Sequence, residues 1–274
     1  MVCRRVISVA RRDFLDQLSR IPPRGETSSA SRALAVVRAV HVFAANTTYA
    51  PGGGFTTLNS TSAFKDETLP LDALDALDAE PPGPWWSRGA ELVRPQRLVS
   101  DLPAQDWLAV PLRQGGPLVT TGPLGRAEAV GLVLREDGPL WEEYAVQTLA
   151  PHSRTPRVLE VRSSEDWLDL VLSWPRPASS ASARMLTDHT GLSGGWLFPD
   201  WAAVGERWDV VHLSVGAWAR TAGVVQSLGN GPTWTMCAGW DPDAAFWLTA
   251  QPTVVGERIL PTLTPEEALE ECTG

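Results

Sequence analysis

The spacing of hydrophobic positions changes period several times along the chain, and each change marks an element. Val6, Val9, Phe14, Leu15 and Leu18, set among arginines and aspartates over residues 6–20, predict an amphipathic helix that Ile21-Pro22-Pro23 must end. PPRGETSSAS at 22–31 reads as a linker. From Leu34 to Phe43 the run LAVVRAVHVF is β-branched and aromatic, with Val36, Arg38, Val40 and Val42 alternating against Val37, Ala39, His41 and Phe43. That alternation predicts a strand with His41 on an apolar face. Between Trp85 and Trp141 the short apolar runs AELV, DWLAVPL, GGPLVTT, AVGLVL and GPLW, broken by Gly and Pro, predict β-structure with tight connections.

Beyond residue 156 the pattern sharpens. RVLEV is a strand with Leu159 and Val161 on one face and Val158 and Glu160 on the other. Ser164 is placed as the N-cap of a helix with Glu165 and Asp166 in its first turn, a stripe of Trp167, Leu168, Val171 and Leu172, and Pro175 as its stop. Residues 176–195 read as a long loop carrying His189. Asp200 caps a helix that turns Trp201, Val204 and Trp208 inward. DVVHLSV is then a strand that sends Val211, Leu213 and Val215 to the core, with Val210, His212 and Ser214 on its other side. TWTMCA and AAFWL read as a hairpin joined by GWDPD, and Thr264 with Pro265 opens a terminal helix. These elements define an α+β class, a mostly antiparallel, split sheet with short packed helices. The chain divides into an N-terminal helix and linker over 1–33 and a single α+β domain over 34–274, with a sub-boundary near 151.

Composition narrows the chemistry. The formal charge of −9, from 32 acidic and 23 basic residues, supplies no cationic field for stable non-specific nucleic-acid binding. Cys3, Cys237 and Cys272 form no disulfide framework and no zinc spacing, and His41, His152, His189 and His212 lack the pairing that places two imidazoles on one helical face, so no metal is expected. The glycines of PGGGF at 51–55 lack the Lys-Ser/Thr pair of a phosphate loop. The Asp-rich 69–83 stretch reads as a short helix with an acidic edge. VISVA at the N-terminus is too short for a membrane span or a signal core, so a cytoplasmic location with no membrane partner is expected. Most of the 13 tryptophans sit at core periods; Trp85, Trp86 and Trp196 are the exceptions that suit a cleft.

The series RVLEV, SSEDWLDLV, PDWAAVGERWDVVHLS and AGWDPDAAFWL resembles a family of mostly uncharacterised bacterial and phage proteins. There a DW..VA..YDGVHLT-like helix-strand unit precedes a GWD..STLWL-like hairpin. RQGGPLVTT at 113–121 is the nearest counterpart of that family's (K/R)xGGLWTS element, with Val119 where the family has an aromatic. The layout over residues 110–250 is distantly similar to ADP-ribosyltransferase-like folds, in which a split sheet holds NAD in a cleft. The resemblance implies that Thr120 and Thr121 line a nicotinamide pocket, that His41 bonds the nicotinamide ribose, and that His212 and Ser214 lie near the reacting carbon. His212 stands where such transferases carry a glutamate that stabilises an oxocarbenium-like transition state. Glu160 or Glu143 would then supply the negative charge.

The implied activity is NAD-dependent ADP-ribosyl transfer by a toxin or modifying enzyme, with NAD as substrate and an unidentified macromolecular target. The alternative is a non-catalytic interaction or immunity-type protein that presents the LDALDALDA edge to a basic partner; a third reading is a nucleoside- or sugar-binding enzyme using Trp85 and Trp86. The transferase reading requires His41, Thr121, Glu160 and His212 to converge.

Overall fold

The computed structural model describes residues 5–22, 25–46, 55–56, 96–99, 109–111, 118–136, 142–150, 155–249 and 252–269. Strand β1 (Arg5–Ser8) runs directly into helix α1 (Val9–Ser19), followed by α2 (Ser29–Asn46). Strands β2 (Phe55–Thr56), β3 (Gln96–Val99) and β4 (Leu118–Thr120) precede a 3-10 turn at Val130–Leu132 and strand β5 (Glu143–Leu149). Next come β6 (Val158–Glu160), α3 (Ser164–Ser173), β7 (Pro175–Pro177), α4 (Ser180–Thr190), β8 (Gly195–Pro199) and α5 (Trp201–Arg207). Strand β9 (Val210–Leu213), α6 (Val215–Thr221), β10 (Val224–Ser227), β11 (Thr233–Met236), β12 (Ala244–Trp247), β13 (Val254–Pro261) and α7 (Pro265–Leu269) complete the order.

The strands form three sheets, ordered β2-β1-β10-β11-β8-β7, β4-β12-β9-β6 and β13-β5-β3. Only β11 with β8 and β6 with β9 pair in parallel among the described ladders, so the fold is α+β and mostly antiparallel, without closing into a barrel. The four-stranded sheet carries the site. One of its faces sends Val119, Leu159, Val211, Leu213, Ala244 and Phe246 to the main core, and the other sends Val158, Val210, Ala245 and Trp247 to a smaller cluster with Leu149. Both faces of β9 are therefore buried, which explains its run of four inaccessible residues.

Helix packing holds the N-terminal segment to this body. Phe14 of α1 stacks on Phe43 of α2 at 4.6 Å between ring centroids, and Phe43 meets Trp218 of α6 at 5.0 Å. Arg11 is buried; its Nη1 donates to the Ala219 and Ala222 carbonyls at 2.8 and 2.9 Å, and its Nη2 to the Arg220 carbonyl at 2.8 Å. Those carbonyls end α6 and have no intrahelical partners, so the guanidinium satisfies them and complements the negative end of the helix dipole.

Several expected elements differ. The strand expected over 34–43 lies inside α2: Val36, Val37, Val40, Phe43 and Ala44 are buried at i, i+1, i+4, i+7 and i+8, a helical stripe that a period of two also partly fits. Ala30, Ala33, Ala35 and Ala39 add helix propensity, and α2 crosses positions 33 and 34 without a break. The loop expected at 176–195 contains α4, capped by Ser179 and closed by Gly191 at φ 72, with Ser182, Leu186, His189 and Thr190 buried on one face. AVGLVL holds the 3-10 turn and not a strand. The expected helix over 6–20 starts as β1, which pairs with β10. The tryptophan-rich hairpin is no hairpin, because β11 and β12 belong to different sheets.

The helix after β6 is capped by Ser163, whose hydroxyl accepts from the Asp166 amide at 3.1 Å, one residue before the expected Ser164. Its buried stripe is Ser164, Trp167, Leu170 and Val171, while Leu172 is exposed. Ser163→Ala is expected to cost about 1 kcal/mol in urea unfolding, more than Ser164→Ala; the reverse order would refute this cap. The cap at Asp200 stands as expected, accepting from the Ala202 and Ala203 amides, although only Val204 of that helix is fully buried. At α7 the Thr264 hydroxyl accepts from the Glu267 amide and Glu267 accepts in return from the Thr264 amide, a reciprocal capping box. Residues 51–54, the Asp-rich 69–83 stretch, Trp85, Trp86, His152 and Arg113–Pro117 lie outside the described residues.

Candidate active site

A single row crosses the four-stranded sheet. In register, Thr120 of β4 faces Ala245 of β12, Ala245 faces His212 of β9, and His212 faces Glu160 of β6. Directly opposed residues share one face of a sheet, with strands about 4.8 Å apart, so the side chains of this row stand side by side. Three of the residues named from sequence thus fall on one line.

His212 is the centre of that line. Its Nδ1 donates to Glu160 Oε2 at 2.9 Å and its Nε2 donates to Asp243 Oδ1 at 3.2 Å. A neutral imidazole has one N–H and would turn a lone pair toward one carboxylate; two flanking carboxylates therefore select the imidazolium. Burial alone would lower the His212 pKa, but hydrogen bonds to Asp243 and Glu160 and the charges of both more than reverse this, raising it from 6.5 to about 10. Both ring nitrogens are committed. His212 is accordingly held as a cation between the two carboxylates.

Asp243 closes the network at its other end. Its Oδ2 accepts from the Thr121 hydroxyl at 3.0 Å and from the Gly122 amide at 2.6 Å. Asp243 has φ 62 and is the one non-glycine residue with positive φ among those described. The neighbouring Asp241 accepts from the Glu136 amide at 2.8 Å, so the turn before β12 is pinned at two carboxylates. Side-chain exposure rises from 6% at His212 through 13% at Asp243 to 29% at Glu160, so the network opens to solvent at Glu160. Among the described residues Glu160 Oε1 has no hydrogen-bond partner, which leaves it the uncommitted carboxylate oxygen of the network.

The remaining candidates lie elsewhere in their contacts. Ser214 is not on β9: the strand ends at Leu213, and the Ser214 hydroxyl accepts from the Ala217 amide at 3.2 Å as the N-cap of α6. A serine just before a helical turn satisfies a first-turn amide better than it extends a strand, and the expected His212 and Ser214 pair is lost. His41 sits on α2, half-buried, with Nδ1 2.7 Å from the Val133 carbonyl, tying α2 to the end of the 3-10 turn. Thr120 is buried in the row, but its hydroxyl accepts from Trp247 Nε1 at 2.9 Å. Glu143 is exposed at the start of β5, in a different sheet. Asp243 was not singled out from sequence; the signal available was an aspartate next to a turn proline, in a GWDPD segment read only as turn chemistry.

Other buried charges are structural. Asp209 is 1% exposed and accepts from the Arg157 amide, Nε and Nη2 and from the Thr249 hydroxyl, fastening β9 to the chain on either side. Burial pushes the Cys237 thiol well up, with the Glu136 charge adding to it, which leaves that cysteine an inert thiol. Among the described residues no cluster of three or more His, Cys, Asp or Glu side chains is arranged to hold a metal ion, and no helix is long and apolar enough to cross a membrane.

No family model, curated protein or solved structure matches the chain.

Proposed function

We propose that the chain is an NAD-dependent enzyme of the ADP-ribosyltransferase type, acting on an unidentified macromolecular target, with Glu160 as its working carboxylate. The reading is narrowed to three of the four residues expected to converge, since Thr121, Glu160 and His212 share one network while His41, bonded to the Val133 carbonyl from α2, has no part in it. The observation that carries this reading is the line Thr121, Asp243, His212, Glu160, which ends in one free, solvent-reaching carboxylate oxygen. One imidazolium between two carboxylates leaves a net negative charge. Such a site repels a pyrophosphate and favours the positive end of a nicotinamide nucleotide, where cleavage of the glycosidic bond builds further positive charge. His212 holds Glu160 by one oxygen, which leaves the other to accept a proton from an incoming nucleophile or to face the cationic carbon.

Incubating the folded protein with NAD labelled in the adenylate part and a cell lysate tests this. The expected result is release of nicotinamide and transfer of label, with Glu160→Gln reducing the rate about 100- to 1000-fold. Folded wild-type protein that does neither would sink the reading.

A second reading, a non-catalytic interaction protein, is favoured by the extent to which the network spends its groups internally. Asp243 uses both oxygens and His212 both nitrogens to join β4, β6, β9 and the turn before β12. On that reading the network is a staple, and Glu160→Gln changes stability without a turnover to lose.

A further inference from the structure

The backbone at Asp243 adopts the left-handed conformation that L side chains seldom take. The turn itself calls for this conformation: the Ala244 amide donates to the Asp241 carbonyl at 3.1 Å, Pro242 takes the second position, and the third position of such a turn has positive φ and is most often glycine. With aspartate and not glycine in that position, one carboxylate meets three donors: the Thr121 hydroxyl and the Gly122 amide just past β4, and His212 Nε2 on β9. Pro242 before it is buried, and Asp241 is held by the Glu136 amide, so the turn has little freedom to relax. Among the described residues the Glu160 carboxylate is hydrogen-bonded by the His212 ring. The orientation of its free oxygen is therefore set two bonds away, at Asp243.

We infer that Asp243 is a positioning residue for Glu160: from its left-handed backbone it fixes the imidazole of His212, and through it the direction of the Glu160 carboxylate. This rests on the reading of Glu160 as the working group, but the chain of contacts is measurable without any turnover. Asp243 touches no reacting atom in this scheme. Among the described residues the carboxylates bonded to His212 are Glu160 on β6 and Asp243 itself, so removing the Asp243 charge takes away one of that pair.

The test uses the full chain with Asp243→Asn and Asp243→Gly. Asparagine keeps the shape and tolerates the left-handed region, while glycine keeps the backbone without strain and removes the side chain. Nitrogen-15 NMR of the His212 ring is expected to show its titration midpoint falling by about one to three units in both variants. Nicotinamide release is expected to fall about 100-fold in kcat with KM little changed, because the working carboxylate is misdirected and not removed.

If wild-type protein releases no nicotinamide, the NAD reading fails, and the NMR comparison still decides the positioning role. An unchanged His212 midpoint in Asp243→Asn would overturn the inference, as would wild-type kcat in that variant. Recovery of wild-type behaviour in Asp243→Gly would also overturn it, since the carboxylate would then be dispensable.

Discussion

Replacing His212 by alanine is expected to lower the unfolding free energy by about 3–5 kcal/mol, because it leaves two partly buried carboxylates facing one another without the cation between them. The loss exceeds what the missing side-chain volume alone would cause. Three strands and the turn before β12 meet at this residue, so the remaining charges cannot separate without disturbing the sheet. Urea unfolding at neutral pH measures the effect, and a destabilisation under about 1 kcal/mol would show that the ion pairs are no stronger than exposed ones.

The pH dependence has a definite sign. The folded state raises the His212 pKa from 6.5 to about 10, so the folded chain holds a proton that the unfolded chain releases. The stabilisation is complete below about 6.5 and declines as pH rises from there through about 10. Wild-type protein is therefore expected to unfold at lower urea at pH 10.5 than at pH 7, and His212→Ala to lack that part of the decline.

Arg11→Ala is expected to cost about 3 kcal/mol or more, since each of its charge-assisted hydrogen bonds is worth about 1.5–3 kcal/mol and the carbonyls it leaves are buried. Lysine retains the charge but has no planar fork to reach all three carbonyls, so Arg11→Lys should recover only part of the loss. Hydrogen exchange offers the sharper measurement: amides of α6 and of β10, which pairs with β1, should lose protection together. Loss confined to α1 would show that Arg11 does not couple these elements.

What could be read from the chain was what local chemistry determines. Asp200 and Thr264 cap as their side chains dictate, and Leu159 and Val161 face the main core as alternation requires. Errors arose where two periods fit one string. Val36 and Val40 satisfy alternation and the helical repeat alike, and the alanines of the segment with the packing of Phe43 on Phe14 and Trp218 favour the helix. In the Ser-rich 176–195 segment, composition suggested a loop while four buried positions at helical spacing specified α4. The site was half legible for a related reason. Glu160 and His212 were recognisable on their strands, but their adjacency depends on parallel pairing of residues 52 apart in the chain, which no local pattern encodes. Asp243 was hidden because its value lies in a backbone angle.

The fastening of Arg11 to Ala219 spans 208 residues of chain. On a ribosome adding about 5–20 residues per second, α1 would wait about 10–40 s before its partners exist. Until then Phe14, Leu15 and Leu18, all buried in the finished protein, lack the cover that α6 adds to their packing on α2. Helix α1 thus reaches its final contacts only after α6 has been made, and until then the growing chain offers an apolar helical pair to whatever chaperone attends it.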